Sequence, residues 1–250
     1  MIEWLYAAII VLLAATLQAV TGFGFAITAT PLLLLLYNSR EAIQISIYLS
    51  FFIAVILLPR IRQKIDYGLF RRLVAGSIPG VPLGLWIYLF INLDSLKVII
   101  SGIILGVTIF SLYGQYKKRA GKNNNAIRQK HNSRWELAAG IISGILAASI
   151  GMPGVPLALY FIANNTDKEV ARSTTLAFFG IVYTVTFVAQ AVTGSVEADA
   201  IFATLMLAPV TAAGVFLGHS IFPLVRQGLF QVITNVILIY TAIYMLTKVH

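Results

Sequence analysis

Two short glycine clusters, each inside a long apolar run, are the residues of this sequence best suited to chemistry. The first is Thr21-Gly22-Phe23-Gly24-Phe25, preceded by Gln18. The second is Gly151-Met152-Pro153-Gly154-Val155, preceded by Ser149. Glycine and proline break helices, and irregular backbone at membrane depth survives only inside protein or beside a water-filled cavity. A helix restarting after each break, near Phe25 and near Val155, presents N–H groups without intrahelical acceptors and the positive end of its dipole. Two such ends converging at the bilayer midplane would bind an anion with no buried Lys or Arg. Pro156 suits a first-turn position, where its missing N–H costs little. Gln18, Thr21, Ser143 and Ser149 add amide and hydroxyl donors.

A second pair of polar clusters opens two other apolar runs. Ser173, Thr174 and Thr175 in one answer Gln44 and Ser46 in the other. These side chains either line the same cavity or bond back to their own helix. Arg172 is a cation near the same helix start and reads as snorkelling to the interface. Gly76, Gly80 and Gly84, with Gly102 and Gly106, read as close-packing positions between helices.

Other chemistries are set aside by what is missing. All nine acidic residues lie at or near the ends of apolar runs. Intramembrane carboxylates mark cation pathways and proton relays, so a carboxylate-based cation exchanger and an intramembrane aspartyl protease are both disfavoured. There is no cysteine, and His131, His219 and His250 are scattered, so no metal is expected. His219 reads as a helix-end histidine near the cytoplasmic interface, with a proton-linked role as its alternative. His-Glu-x-x-His, Gly-x-Ser-x-Gly and Walker A patterns are absent. No enzyme activity and no cofactor are expected.

The elements that must position the breaks are membrane helices. Of 250 residues, 59% are hydrophobic and 11% charged, against roughly a quarter charged in soluble domains. Apolar runs cover 4–37, 42–58, 73–91, 96–114, 135–163, 170–192, 200–222 and 229–247. The start, Met1-Ile2-Glu3-Trp4, lacks the basic stretch of a cleavable signal peptide, so the first run is expected to stay. The net charge of +9 resides in short loops, as the positive-inside bias places it, and not in a nucleic-acid face. Trp4, Trp135 and Tyr244 fit an aromatic belt.

Runs 4–37 and 135–163 are too long for one span, and each holds a glycine cluster, so each reads as a helix–break–helix hairpin. Loop charges favour this over one kinked helix. The 59–72 loop carries Arg60, Arg62, Lys64, Arg71 and Arg72, and the 115–134 linker carries seven Lys or Arg and no acid. Both are expected in the cytoplasm. The loop from Thr193 to Asp199 has no basic residue and is expected outside. Only a hairpin at 135–163 gives the odd number of crossings this requires.

The halves also echo each other. Arg40-Glu41 answers Lys168-Glu169, and Gly80 and Gly84 answer Gly214 and Gly218. The expected fold is an all-α polytopic membrane protein of two inverted repeats, each a broken-helix hairpin plus three transmembrane helices. Residues 1–114 form the first repeat, 115–134 a basic cytoplasmic linker and 135–250 the second repeat, with both termini outside.

Thr21-Gly22-Phe23-Gly24-Phe25 with Pro31-Leu32-Leu33 resembles the first-half signature of the TauE/SafE sulfite exporter family, also called toluene-sulfonate uptake permeases. Gly151 to Tyr160 and Ser173 to Phe179 resemble its second-half signature. Pro153-Gly154 stands where the family typically shows Gly-Gly. The resemblance implies transport of sulfite, thiosulfate, sulfoacetate or another organosulfonate, with direction left open. The leading expectation is a secondary anion transporter in the cell (inner) membrane, with a small anion and the lipid bilayer as partners and a homodimer left open. An anion channel using the same site, and a membrane scaffold or enzyme, are the alternatives.

Overall fold

The computed structural model describes residues 2–119, 133–164 and 166–221. Nine α-helices lie among them, with no strand. They are α1 (Ile2–Thr21), α2 (Gly24–Tyr37), α3 (Glu41–Ile61), α4 (Tyr67–Phe90), α5 (Leu93–Arg119), α6 (Ser133–Ile150), α7 (Gly154–Ala163), α8 (Lys168–Val192) and α9 (Ala198–Ile221), with a 3-10 turn at Arg62–Lys64. The apolar run at 229–247, the centre of the linker, and Tyr244, His131 and His250 lie outside the described residues. Five helices, α1, α3, α4, α8 and α9, are long and apolar enough to cross a membrane. The chain is an all-α, multi-pass membrane protein.

Both long runs are broken where the glycines stand. Gly22 and Gly151 take φ of 90° and 74°, a region that glycine enters without steric cost. The helices that follow are short: 14 residues in α2 and 10 in α7. At 1.5 Å per residue these are about 21 and 15 Å long, against a hydrocarbon core of about 30 Å. Every residue of α2 from Gly24 to Pro31 is buried, so this partial span lies in protein and not in lipid. α2 packs back on α1 and α7 on α6. The Tyr160 hydroxyl, near the end of α7, donates to Glu136 Oε1 at the start of α6 (2.8 Å). Run 135–163 is therefore a hairpin.

Contacts sort the helix ends into two groups. At one end Arg40 donates to the carbonyls of Tyr88 (2.8 Å) and Ile91 (2.7 Å), Gln44 reaches Ser195, and Trp4 stacks edge-on against Phe202. At the other, the Asp66 N–H donates to Thr174 Oγ1 (3.0 Å), Lys64 pairs with Glu169, and Arg72 pairs with Glu136. The second end carries the basic loop. Little of 59–72 is irregular, because α3 runs through Arg60 to Ile61 and α4 starts at Tyr67. Asp66 sets that start by accepting from the Leu69 N–H (3.0 Å), which satisfies one of the orphan donors of the first turn.

Two close helix pairs hold the bundle. A methyl on Gly76, Gly80 or Gly84 of α4 would strike the carbonyl oxygen of Leu137, Ile141 or Ile145 on α6. Gly214 and Gly218 of α9 lie against the carbonyls of Leu12 and Thr16 on α1, and Thr16 Oγ1 donates to Gly214 O (3.1 Å). Small residues let backbones touch in this way, so Gly76, Gly80 and Gly84 are packing glycines as expected. Gly102 and Gly106 have no such neighbour within 4 Å among the described residues. Each pair runs parallel and takes one helix from each half of the chain. The α4–α6 pair begins at the basic end, and the α1–α9 pair begins at the opposite end. Gly80→Val should destabilise by about 1–3 kcal/mol, the usual cost of overpacking. Its thermal unfolding midpoint in detergent should fall, while that of Gly102→Val stays near the parent's. Equal midpoints for both variants would show that the α4–α6 interface accommodates the added side chain.

Candidate functional site

The two breaks meet each other. A methyl on Gly154 would lie 2.9 Å from Phe23 Cβ and 3.1 Å from Phe179 Cζ. Gly154 is therefore required for space, since its φ is not positive. Each break is also wedged by a helix from the other half of the chain. Gly22 faces α8, where a methyl would lie 3.0 Å from both Cα and Cγ of Arg172. Gly151 faces α3, where a methyl would lie 3.2 Å from Ile47 Cγ1 and 3.5 Å from the Ile43 carbonyl oxygen. Its own carbonyl accepts from the Tyr183 hydroxyl of α8 (2.9 Å).

Gln18 is the polar group at the centre of this arrangement. It is fully buried, and its Oε1 accepts from the Phe25 N–H at the start of α2 (3.2 Å). That bond fixes the amide orientation, because Nε2 has no lone pair to offer an N–H. The Nε2 donor is buried and has no partner among the described residues. An unsatisfied buried donor costs about 1–3 kcal/mol, and in a native protein it calls for an explanation. The Phe23 N–H reaches Thr21 Oγ1 (3.3 Å). Phe25 of the first break and Met152, Pro153 and Val155 of the second are buried.

The hydroxyls are engaged otherwise. Thr21 donates to Leu17 O (2.9 Å), Ser149 to Ile145 O (2.7 Å) and Ser173 to Glu169 O (2.7 Å). In this conformation they bond back to their own helices: for Ser173 that is the alternative the sequence left open, and for Thr21 and Ser149 it departs from the expected role as donors to a ligand. Thr174 is turned to the basic end, where it accepts from Asp66. Ser143 is buried, and its hydroxyl has no partner among the described residues. The breaks thus gather Gln18, Thr21, Gly22, Phe23, Gly24 and Phe25 with Gly154, while Ser173 and Thr174 serve the helix ends.

Residues 7–245, both breaks included, match the family model described as sulfite exporter TauE/SafE. The chain belongs to the TauE/SafE family. No curated protein matches it, and no solved structure does. TauE/SafE is a family of membrane transporters and not of enzymes, and it implies a small sulfur-containing anion and the lipid bilayer as partners.

Two polar networks of this TauE/SafE chain were not visible in its sequence. Gln44 is buried; its Nε2 donates to Tyr88 Oη (3.0 Å) and to Ser195 O (2.6 Å), and its Oε1 accepts from the Glu197 N–H (3.0 Å). One amide thus joins α3, α4 and the 193–197 loop. Glu136, placed by the sequence at the end of an apolar run, is fully buried between Arg72 and Tyr160. Its place beside the basic 115–134 linker was the available signal, but the parallel α4–α6 pairing that buries it leaves no mark in local spacing.

Glu197 sits in the loop outside the spans. Burial pushes its carboxyl above the usual range, the hydrogen bond and charge of Glu41 push it the same way, and Arg40 opposes them. A carboxyl raised on folding favours the folded state at pH below its unfolded value, and that contribution is lost as pH rises through the folded value. Relative to the parent, Glu197→Gln should therefore gain thermal stability between about pH 4 and neutral, starting near the unfolded value of a glutamate. Parallel melting curves across that range would show that Glu197 is not held by Glu41.

Proposed function

We propose that this TauE/SafE protein carries small sulfur-containing anions, such as sulfite, thiosulfate, sulfoacetate or another organosulfonate, by alternating access around a site between its two broken helices. The observation that carries this reading is the buried Gln18 Nε2 at the start of α2, with no partner among the described residues, where Phe23 meets the start of α7 at Gly154. Of the first N–H groups of α2 and α7, which lack intrahelical acceptors, that of Phe25 is taken by Gln18 Oε1; the others and the Gln18 Nε2 are donors for an anion. The substrate-binding residues in this reading are Gln18, Thr21, Gly22, Phe23, Gly24 and Phe25 from the first break, and Ser149, Gly151, Met152, Pro153, Gly154 and Val155 from the second. Ser173 and Thr174 take part only if their helix-end bonds open.

Alternating access needs two units that rock against each other. In this reading residues 1–114 and 135–250 are the inverted repeats, and each rocking unit draws helices from both of them. The exchanged pairs α4–α6 and α1–α9, which start at opposite ends of the bundle, support the inversion. The mechanism is complete within one chain and does not call for a homodimer. Sidedness tests the inversion. In this cysteine-free chain, Ser195→Cys should label from outside with a membrane-impermeant thiol reagent, and a cysteine placed in the 115–134 linker should label only after permeabilisation. Labelling of Ser195→Cys from the cytoplasmic face alone would contradict the inverted arrangement. Sulfite flux into proteoliposomes of the purified protein tests the transport itself.

A further inference from the structure

We infer that Thr175 of α8 is a further substrate-contacting residue, its hydroxyl donating to an oxygen of the anion between the two helix breaks. This rests on the transport reading above and adds a side chain to its site. α8 runs without interruption from Lys168 to Val192, and one of its faces passes both breaks. The backbone of Arg172 lies against Gly22, Phe179 lies against Gly154, and Tyr183 donates to the Gly151 carbonyl. Residues three and four apart share a helix face. Thr175 therefore stands on that face between the contact to the first break and the contacts to the second. A threonine hydroxyl is bonded directly to Cβ, so the helix face fixes its place.

Thr175 is fully buried, and its hydroxyl has no hydrogen-bond partner among the described residues. Serine and threonine inside helices often return the hydroxyl to the carbonyl four residues back. On α8 itself Ser173 bonds to Glu169 O (2.7 Å) and Thr184 to Gly180 O (2.6 Å). Thr175 does not, so its hydroxyl is left for a group outside the helix. A buried hydroxyl without a partner is costly, and valine would fill the same space at less cost. Gln18 Nε2 at the first break is in the same state, so a donor from each half of the chain stands at the breaks. The repeat supplies the contrast. Leu49-Ser50-Phe51-Phe52 answers Leu176-Ala177-Phe178-Phe179, so position 48 answers position 175. Tyr48 packs its ring on Phe187 and turns its hydroxyl to Gln44 and Gln190 (3.5 Å each). Ser46 of α3 also lacks a partner among the described residues, but Ile43 and Ile47, its neighbours on that face, both meet Gly151.

The test is anion binding by the purified full chain, titrated with sulfite, thiosulfate and sulfoacetate in turn and read from the shift of the unfolding midpoint. Thr175→Val keeps the shape of the side chain and removes the hydroxyl. For whichever anion binds the parent, it should raise Kd at least about tenfold, the loss of one charge-assisted hydrogen bond. Its midpoint without anion should be no lower than the parent's. Thr175→Ser, which restores a hydroxyl, should stay within about threefold of the parent's Kd. Thr186→Val makes the same change to another buried α8 hydroxyl without a partner among the described residues, one turn past Tyr183, and should leave Kd within about twofold. A parent-like Kd in Thr175→Val, or an equal loss in Thr175→Ser or Thr186→Val, overturns the assignment. If Thr175→Val does not fold, Thr175→Ala is read by the same comparison. A parent protein stabilised by none of the three anions would instead reject the transport reading, so the two failures are distinguishable.

Discussion

Gly22→Val is expected to give a protein that inserts in the membrane and transports no anion. Gly22 holds φ at 90°, where a β-branched residue is strained by about 1–3 kcal/mol. Its new Cβ would also stand 3.0 Å from the α-carbon of Arg172. That neighbour is backbone and cannot rotate away, so α8 or the break itself has to shift. The packing cost adds about 1–3 kcal/mol. Either shift moves the Phe25 N–H and the Gln18 amide off their present geometry. Gly154→Val should fail for a different reason, since its side chain would strike Phe23 Cβ at 2.9 Å and push the breaks apart. Flux at matched insertion is the measurement. Parent-like flux in both variants would show that these glycines only pack helices and that the anion passes elsewhere.

Gln18→Glu should abolish anion binding more completely than any neutral change at the same position. The substitution is nearly isosteric and keeps an oxygen on the Phe25 N–H (3.2 Å in the parent). The other amide atom, now a buried donor, becomes a carboxylate oxygen. A like charge about 4 Å from a bound anion costs about 4 kcal/mol at an effective dielectric near 20, a loss of between about a hundred- and a thousandfold. Gln18→Leu removes hydrogen bonds without adding charge and should cost about tenfold. Thr21→Asp and Ser149→Asp act in the same direction as the glutamate. Affinity measured by titration of the purified variants gives the order. Equal losses for Gln18→Glu and Gln18→Leu would mean that Gln18 is structural and faces no anion.

The breaks were legible because glycine and proline inside apolar runs have few other uses. The packing glycines at 76, 80 and 84 were legible because small residues recur at helical spacing, whereas the same reading of Gly102 and Gly106 meets no neighbour among the described residues, and Gly214 and Gly218 were read only as repeat counterparts. What escaped the sequence depends on partners far along the chain. Gly154 looked like a residue needing unusual backbone freedom, but it is needed for room beside Phe23, a contact of the opposite half. The hydroxyls of Thr21, Ser149 and Ser173 looked like donors for a ligand, and each had a carbonyl of its own helix within reach. Arg172 looked like an interface residue because only its distance along α8 was visible, not the helix break lying against it. Gln18 stood out as an amide in an apolar run, but its divided role, one atom capping α2 and the other unspent, needed the return of the chain through the break.

The most direct test of an anion site between the breaks is ligand-dependent thermal stability of the purified protein. Sulfite, thiosulfate, sulfoacetate, sulfate and chloride would be titrated as salts of the same cation, and the cation then exchanged at constant anion. A ligand that binds the native state stabilises it by mass action, by about 2.7 kcal/mol at a hundred times its Kd. At least one sulfur oxyanion should raise the unfolding midpoint saturably, exchange of the cation should have no effect, and Gln18→Glu should erase the shift. A midpoint that answers to the cation, or an oxyanion shift that survives in Gln18→Glu, would contradict the account.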